Sequence, residues 1–224
     1  MTLHQSLIIL YVQSALFFLG AVFSLVQNKA RQPQMRLLGL AMFVSVLGNH
    51  VADILRHYKI SVNYSGSGFF ICIIPLICAI YYQAMNKRYG RILLFVAIAH
   101  DIFAFINVLF IQKSFINSYT LIVQSIIIIT LCIYYFYWLL QELPAAQLHR
   151  LPMFWVNSAY IIFYSSNLFL FVFTSYLVHV LNSQLLVYWT LHNVIGIIQA
   201  SMMIVALWMD LQNIKSLSSS PSAQ

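Results

Sequence analysis

The chain has 224 residues, of which 62% are hydrophobic and 7% are charged. A soluble domain carries about 25% charged residues, so this composition excludes a soluble enzyme and a disordered chain. Lys and Arg number 11 against 4 acidic residues, a net charge of +7. These cations are scattered between apolar runs, which excludes a nucleic-acid-binding surface and makes them topology signals instead.

A membrane-spanning helix needs about 20 mostly apolar residues. Apolar windows of this kind recur along the chain and are separated by short polar joints. They predict an all-α, polytopic membrane protein, a seven-transmembrane-helix bundle over residues 1–211, followed by a short flexible cytoplasmic tail at 212–224. The predicted spans are Leu7–Val26, Leu37–Leu55, Phe69–Ala84, Ile92–Ile111, Tyr119–Leu140, Met153–Val180 and Leu185–Met209.

The distribution of Lys and Arg predicts the orientation of the bundle. The joints after the first, third and fifth windows and the C-terminal tail hold most of these residues, whereas the opposite side holds only Arg56, Lys59 and Lys113. Because cytoplasmic loops carry the excess of positive charge, this count places the N-terminus outside and the C-terminus in the cytoplasm. The expected location is the cell (inner) membrane, with the lipid bilayer as the surrounding partner.

Polar side chains inside apolar helices are costly in lipid, so they mark functional sites or helix packing. On the sixth helix, the positions of Asn157, Tyr160, Tyr164, Asn167 and Thr174 form one polar seam along a single face. His50 with Asp53 on helix two and His192 on helix seven are predicted to converge in an outward-facing pocket above His100. The candidate ligand-binding residues are His50, Asp53, Asn157, Tyr164, Asn167, His192 and Asn193, and the candidate proton-relay residues are His100 and Asp101.

Each polar cluster also has a purely structural interpretation as hydrogen bonding between helices. His50, Asp53 and His192 are ligand types that zinc accepts, but they occur without a metal-binding motif such as HExxH. A haem held between two of the histidines is a further alternative. Neither a metal nor another cofactor is predicted, and the three cysteines lie in apolar runs without a CxxC spacing.

The last two helices carry a recognisable pattern, in which Phe154-Trp155-Val156-Asn157-Ser158 and Tyr164-Ser165-Ser166-Asn167-Leu168-Phe169 precede Tyr188-Trp189-Thr190-Leu191-His192-Asn193. The pattern resembles the seven-helix input modules of bacterial sensor histidine kinases and related stand-alone bacterial membrane proteins. The resemblance implies a sensory role in which Asn157, Tyr164, Asn167, His192 and Asn193 form a shared core. It supplies no catalytic residue, and no phosphoacceptor or ATP-binding domain follows Asp210 in this chain.

These observations favour a non-enzymatic membrane sensor or accessory protein. It would bind a small or lipidic ligand in the outward-facing pocket and signal through a separate cytoplasmic protein. Two alternatives stay open: a membrane enzyme that uses the outer His and Asp residues on a lipid-like substrate, and a small proton-coupled transporter that uses His100 and Asp101. A structural subunit of a larger membrane complex is also compatible with the sequence.

Overall fold

The structure is a computed structural model. It describes the backbone of residues 3–58, 63–111, 118–142, 148–180 and 185–218. It describes the side chains of residues 4–51, 54–55, 58, 71–111, 118–142, 148–173 and 186–216. Every regular element in these residues is helical, which confirms the all-α prediction. The helices are α1 Leu3–Ser24, α2 Pro33–His57, α3 Asn63–Ala84, α4 Gly90–Ile106, α5 Ser118–Glu142, α6 Pro152–Val180 and α7 Leu185–Ser218. A π-helical turn, Asn107–Ile111, continues α4.

Helix α7 is longer than the sequence predicts. It runs from Leu185 to Ser218, so residues 212–218, which were expected to belong to the flexible tail, are helical. Neither Gly nor Pro interrupts the chain between Gly196 and Pro221, so the usual stop signals for a helix are missing at the predicted end. The Asn213 amide also donates to the Arg150 carbonyl oxygen at 3.3 Å and ties the extension to the start of α6.

Length and composition identify a helical membrane protein. Among the described residues, five helical segments are long and apolar enough to cross a bilayer: His4–Ser24, Gly90–Ile111, Ser118–Glu142, Pro152–Phe173 and Leu186–Ser216. The described apolar part of α3, Ile71–Ala84, is shorter. Large apolar side chains also cover the outside of the bundle, as for Phe110, which is 73% exposed. A surface of this kind is stable in lipid and would aggregate in water.

The helices pack mainly on their neighbours in the chain, and α1 closes the bundle by packing on α7. α3 also contacts α5, which brings Tyr81 against Tyr135 with ring centroids 5.7 Å apart. The buried interior combines aliphatic residues with a large polar set that includes Asn157, Asn167 and His100. The bundle is therefore held by dispersion contacts and by hydrogen bonds between helices, as expected where lipid removes most of the hydrophobic driving force.

Gly196 lets α1 and α7 approach each other closely. A Cβ built at Gly196 would overlap the Gln13 side-chain amide, which lies directly against the glycine. Gln13 is buried in the interface between these helices. The atoms that a larger side chain would meet belong to the end of the Gln13 side chain, so such a residue has to displace the Gln13 amide from this buried interface.

We therefore expect Gly196→Val to lower the free energy of unfolding by about 1–3 kcal/mol, the usual cost of overpacking a filled interface. Thermal unfolding of the detergent-purified protein measures the effect. Ser201→Val, on an exposed face of the same helix, is the matched control and should change stability by less than about 0.5 kcal/mol. Equal losses in the two variants would contradict a special role for Gly196.

Candidate functional site

The polar seam of α6 lies inside the bundle, as its spacing predicts. Asn157, Tyr160, Tyr164 and Asn167 are all buried, with at most 6% of each residue exposed. Thr174, the fifth member of the predicted seam, lies outside the described side chains. Since three of the four buried residues make hydrogen bonds to other helices, the seam is the polar centre of the fold.

Asn157 joins three helices at one end of the seam. Its Oδ1 accepts a hydrogen bond of 2.5 Å from the Tyr81 hydroxyl of α3. Its Nδ2 donates to the Cys132 carbonyl oxygen of α5 at 3.0 Å. The Tyr81 hydroxyl has only one hydrogen, so the Cys132 thiol, 3.1 Å away, is the donor in their contact. Every polar group of this cluster is used within the fold, so Asn157 has a structural role here.

Tyr164 and Gln124 form the next polar contact along the seam. Gln124 is on α5, and its Nε2 donates to the Tyr164 hydroxyl at 3.1 Å. Gln124 was not among the candidate residues of the sequence analysis, although an amide inside an apolar helix is a signal of the same kind as Asn157. In the described residues, the Gln124 Oε1 is buried without a hydrogen-bond partner.

Asn167 and His192 form the contact that the sequence analysis placed in a ligand pocket. The Asn167 Nδ2 donates to the Phe163 carbonyl oxygen at 2.8 Å, which orients the amide. The Asn167 Oδ1 then faces the His192 Nδ1 at 2.6 Å. Because an amide oxygen only accepts, the His192 Nδ1 carries the hydrogen and the Nε2 of the neutral ring is an acceptor. Asn167 thereby sets the tautomer of His192.

Aromatic rings surround His192 on several sides. Trp189 stacks on the imidazole with centroids 5.2 Å apart and an interplanar angle of 24°. Phe163 and Phe171 lie at 5.4 and 6.0 Å. Trp189 is 47% exposed and His192 is only partly buried. The cluster of His192, Asn167, Phe163, Phe171 and Trp189, here called the α6–α7 cluster, is thus a group of aromatic rings around one imidazole that reaches the surface of the bundle at Trp189.

The remaining candidate ligand-binding residues are His50 and Asp53 on α2 and Asn193 on α7. The His50 side chain is exposed, and the Asp53 side chain lies outside the described residues. Asn193 is buried, and its Nδ2 is without a hydrogen-bond partner in the described part of the chain. The predicted convergence of His50, Asp53 and His192 therefore stays a prediction.

His100 and Asp101 form a pair on α4. The His100 Nδ1 lies 3.1 Å from the Asp101 Oδ1. The His100 side chain is fully buried, whereas 25% of the Asp101 side chain is exposed. Within the described residues, the buried His100 Nε2 has no hydrogen-bond partner. The partner of Asp101 seen here is thus the histidine that precedes it in the chain.

A buried ion pair that the sequence analysis did not single out joins the α1–α2 connection to α7. The Arg31 Nη1 lies 3.1 Å from the Asp210 Oδ2, and both side chains are at most 1% exposed. The guanidinium also donates to the Leu207, Val26 and Phe23 carbonyl oxygens at 2.8–3.1 Å. In the sequence, Arg31 is one of the cations in the joint after the first apolar window, which served only to predict orientation. The scarcity of acids was the available signal, because an isolated acid in an apolar helix requires a partner.

Metal binding was an alternative for the histidine and aspartate cluster. Among the described residues, no group of three or more His, Cys, Asp or Glu side chains could hold a metal ion. The side chain of Asp53, which that alternative requires, is not among them.

Comparison of the chain with protein-family models, with curated proteins and with solved structures gave no match. The features described above define a helical membrane protein with a buried polar seam.

Proposed function

We propose that this protein is a non-enzymatic integral membrane sensor or accessory protein of a bacterial inner membrane. In this proposal seven helices cross the membrane, with the N-terminus outside and the C-terminus in the cytoplasm, as the Lys and Arg distribution indicates. The α6–α7 cluster binds a small or lipid-like ligand, and a separate cytoplasmic protein reads the state of α7. The resemblance of the last two helices to sensor input modules points the same way.

A single continuous helix carries the proposal. α7 holds His192 near one end and Asp210 near the other, 18 residues apart, which corresponds to about 27 Å along a helix. His192 stacks on Trp189 within the α6–α7 cluster, and Asp210 forms an ion pair with Arg31 of the α1–α2 connection. A ligand that changed the α6–α7 packing would displace α7, and the rigid helix would carry that displacement to the Arg31 end.

The chemistry of the α6–α7 cluster indicates the ligand class. Phe163, Phe171 and Trp189 provide apolar and aromatic contact, and the His192 Nε2 provides one acceptor for an O–H or N–H group. A planar or lipid-like molecule with one hydroxyl or amide donor fits these groups, and it would enter beside the half-exposed Trp189.

Native mass spectrometry of the protein released gently from detergent tests the ligand site. We expect wild type to carry a small-molecule adduct distinct from phospholipid, and His192→Phe to lose it, because phenylalanine keeps the ring but removes the acceptor. Trp208→Phe, at an exposed position nearer the other end of α7, should keep the adduct. A bare wild-type chain, or an adduct that survives His192→Phe, would refute the site.

The partner needs a separate measurement. A photo-cross-linking amino acid at the exposed Gln212 should capture a cytoplasmic protein in intact cells. We expect the yield of that adduct to differ between wild type and His192→Phe if α7 transmits ligand binding. The same yield in both would show that the partner does not read the α6–α7 cluster.

The His100–Asp101 pair favours a second candidate function, a proton-coupled transporter. An acid and an imidazole at 3.1 Å within an apolar helix can exchange a proton. Proton flux in proteoliposomes should then fall when Asp101→Asn removes the acid, whereas Glu142→Gln, in an exposed ion pair, should leave it unchanged. Unchanged flux in Asp101→Asn would remove this candidate.

A further inference from the structure

We infer that the turn between α3 and α4 binds the phosphate group of an anionic phospholipid through Lys87 and Arg91. The inference depends neither on the α6–α7 cluster nor on which side of the membrane the turn faces. Lys87, Arg88 and Arg91 lie within five residues at this turn, and all three are exposed. They are the densest group of Lys and Arg residues in the sequence, so this turn attracts anions.

The acidic residues of the chain leave Lys87 and Arg91 without a counter-ion. Consecutive helices joined by short connections run antiparallel, so α2 begins at the end of the bundle that holds this turn. Asp53 lies 20 residues along α2 from Pro33, which is about 30 Å away from that end. In the described residues, each of the other three acids contacts a different basic residue: Asp101 contacts His100, Glu142 contacts Arg88 and Asp210 contacts Arg31.

Arg91 is also placed where its charge is unfavourable without an anion. It lies in the first turn of α4, which has no acidic residue, and within the described residues the preceding Tyr89 makes no side-chain hydrogen bond to this end of the helix. The N-terminus of a helix carries partial positive charge, which repels a guanidinium. A phosphate beside Arg91 would interact favourably with both the side chain and the helix.

Contacts with the rest of the bundle fix the shape of this turn. The Lys87 N–H donates to the Tyr82 carbonyl oxygen at 2.8 Å. The Tyr89 ring meets the Tyr134 ring of α5 edge to face, with centroids 5.5 Å apart. Asn86, Lys87 and Tyr89 have positive φ angles of 54°, 61° and 61°, which residues other than glycine rarely adopt unless the surrounding contacts impose them. The backbone that carries the basic side chains is therefore preorganised, which lowers the entropic cost of binding a headgroup.

The surface next to the turn indicates a phospholipid rather than a free phosphate ion. Ile92 and Phe95 come soon after Arg91 in α4, and both are large, apolar and exposed. Tyr89 is also exposed, and tyrosine is a residue type that lies at headgroup level in membrane proteins. A lipid with its phosphate at the turn has its acyl chains against the apolar surface of α4. Two cations without counter-ions favour a headgroup with a net negative charge over a zwitterionic one.

Native mass spectrometry of the detergent-purified protein, titrated with phosphatidylglycerol or with phosphatidylcholine, tests the inference. We expect wild type to bind phosphatidylglycerol more tightly than phosphatidylcholine. Lys87→Gln combined with Arg91→Gln should raise the Kd for phosphatidylglycerol about 30-fold, at about fivefold for each charge removed. The matched control, Lys29→Gln combined with Arg36→Gln, removes two exposed cations at the same end of the bundle and should leave this Kd nearly unchanged.

Three outcomes of this titration would overturn the inference. Equal affinity of wild type for the two lipids would show that the charge of the headgroup does not matter. Equal losses in the two double variants would show that only the total charge of the protein matters. Displacement of the lipid by inorganic phosphate, beyond the effect of sodium chloride at equal ionic strength, would identify a site for the free ion.

Thermal unfolding supplies a second, independent measurement. Substitutions at exposed positions usually change stability little, so both double variants should fold. Phosphatidylglycerol at about ten times its Kd should raise the melting temperature of wild type and of the control variant by roughly 3–6 °C. Lys87→Gln combined with Arg91→Gln should show a clearly smaller rise at the same lipid concentration. The same rise in all three proteins would place the stabilising lipid elsewhere and overturn the inference.

Discussion

Replacing Arg31 by methionine should lower the free energy of unfolding by about 3–5 kcal/mol, the largest single loss expected here. Methionine keeps an unbranched apolar side chain and removes the charged guanidinium. The change leaves the buried Asp210 carboxylate without its counter-ion and removes the donors to the Val26, Phe23 and Leu207 carbonyl oxygens. Denaturation by SDS, followed by Trp fluorescence in mixed micelles, gives the free energy directly.

Two control variants separate burial from charge. Arg88→Met breaks the exposed ion pair with Glu142, whose side chains are 57% and 42% exposed, and should cost only about 0–1 kcal/mol. Adding Asp210→Leu to Arg31→Met should recover part of the loss, because no unpaired charge then stays buried. Equal losses in Arg31→Met and Arg88→Met would mean that the Arg31–Asp210 pair contributes no more than a surface contact.

Asn157→Leu should give the second large effect, a decrease of about 1–3 kcal/mol in the free energy of unfolding. Leucine has a similar volume, so the change acts through hydrogen bonds more than through packing. It removes the acceptor of the Tyr81 hydroxyl and the donor to the Cys132 carbonyl oxygen. Because Tyr81 is fully buried, water cannot replace the lost acceptor. The same denaturation experiment measures the change.

Removing the Tyr81 hydroxyl, which loses its acceptor in Asn157→Leu, should restore part of the lost stability. In Asn157→Leu combined with Tyr81→Phe, no buried hydroxyl is left without an acceptor, so the double variant should be more stable than Asn157→Leu alone. Ser165→Ala, on an exposed face of the same helix, should be within about 0.5 kcal/mol of wild type. A double variant as unstable as the sum of its two single variants would show that the Tyr81–Asn157 hydrogen bond is not the origin of the loss.

These two clusters join parts of the chain that are distant in sequence inside the bundle. The Arg31–Asp210 pair holds α7 to the α1–α2 connection, and the Asn157 cluster holds α6 to α3 and α5. The α6–α7 cluster, in contrast, has a half-exposed Trp189 and a partly buried His192. The ligand-dependent change that we propose would take place at this partly exposed contact.

The sequence alone was sufficient to predict the helices. An apolar run of about 20 residues can satisfy its backbone in lipid only as a helix, so the runs predicted α1 to α7 without knowledge of their packing. The inward orientation of Asn157, Tyr164 and Asn167 also followed from spacing, because residues three or four apart share one helical face. The end of α7 was predicted too early, since a fall in hydropathy after Met209 marks the end of an apolar run but does not stop a helix.

Tertiary structure decided which polar groups meet. Spacing along one helix cannot show that Gln124 reaches Tyr164, that His192 reaches Asn167, or that Arg31 reaches Asp210 across 179 positions of sequence. These contacts depend on helix order, on rotation about each helix axis, and on the register between helices. All three are set by the packing of the whole bundle, whereas the tendency of each segment to be a helix in lipid is set within the segment itself.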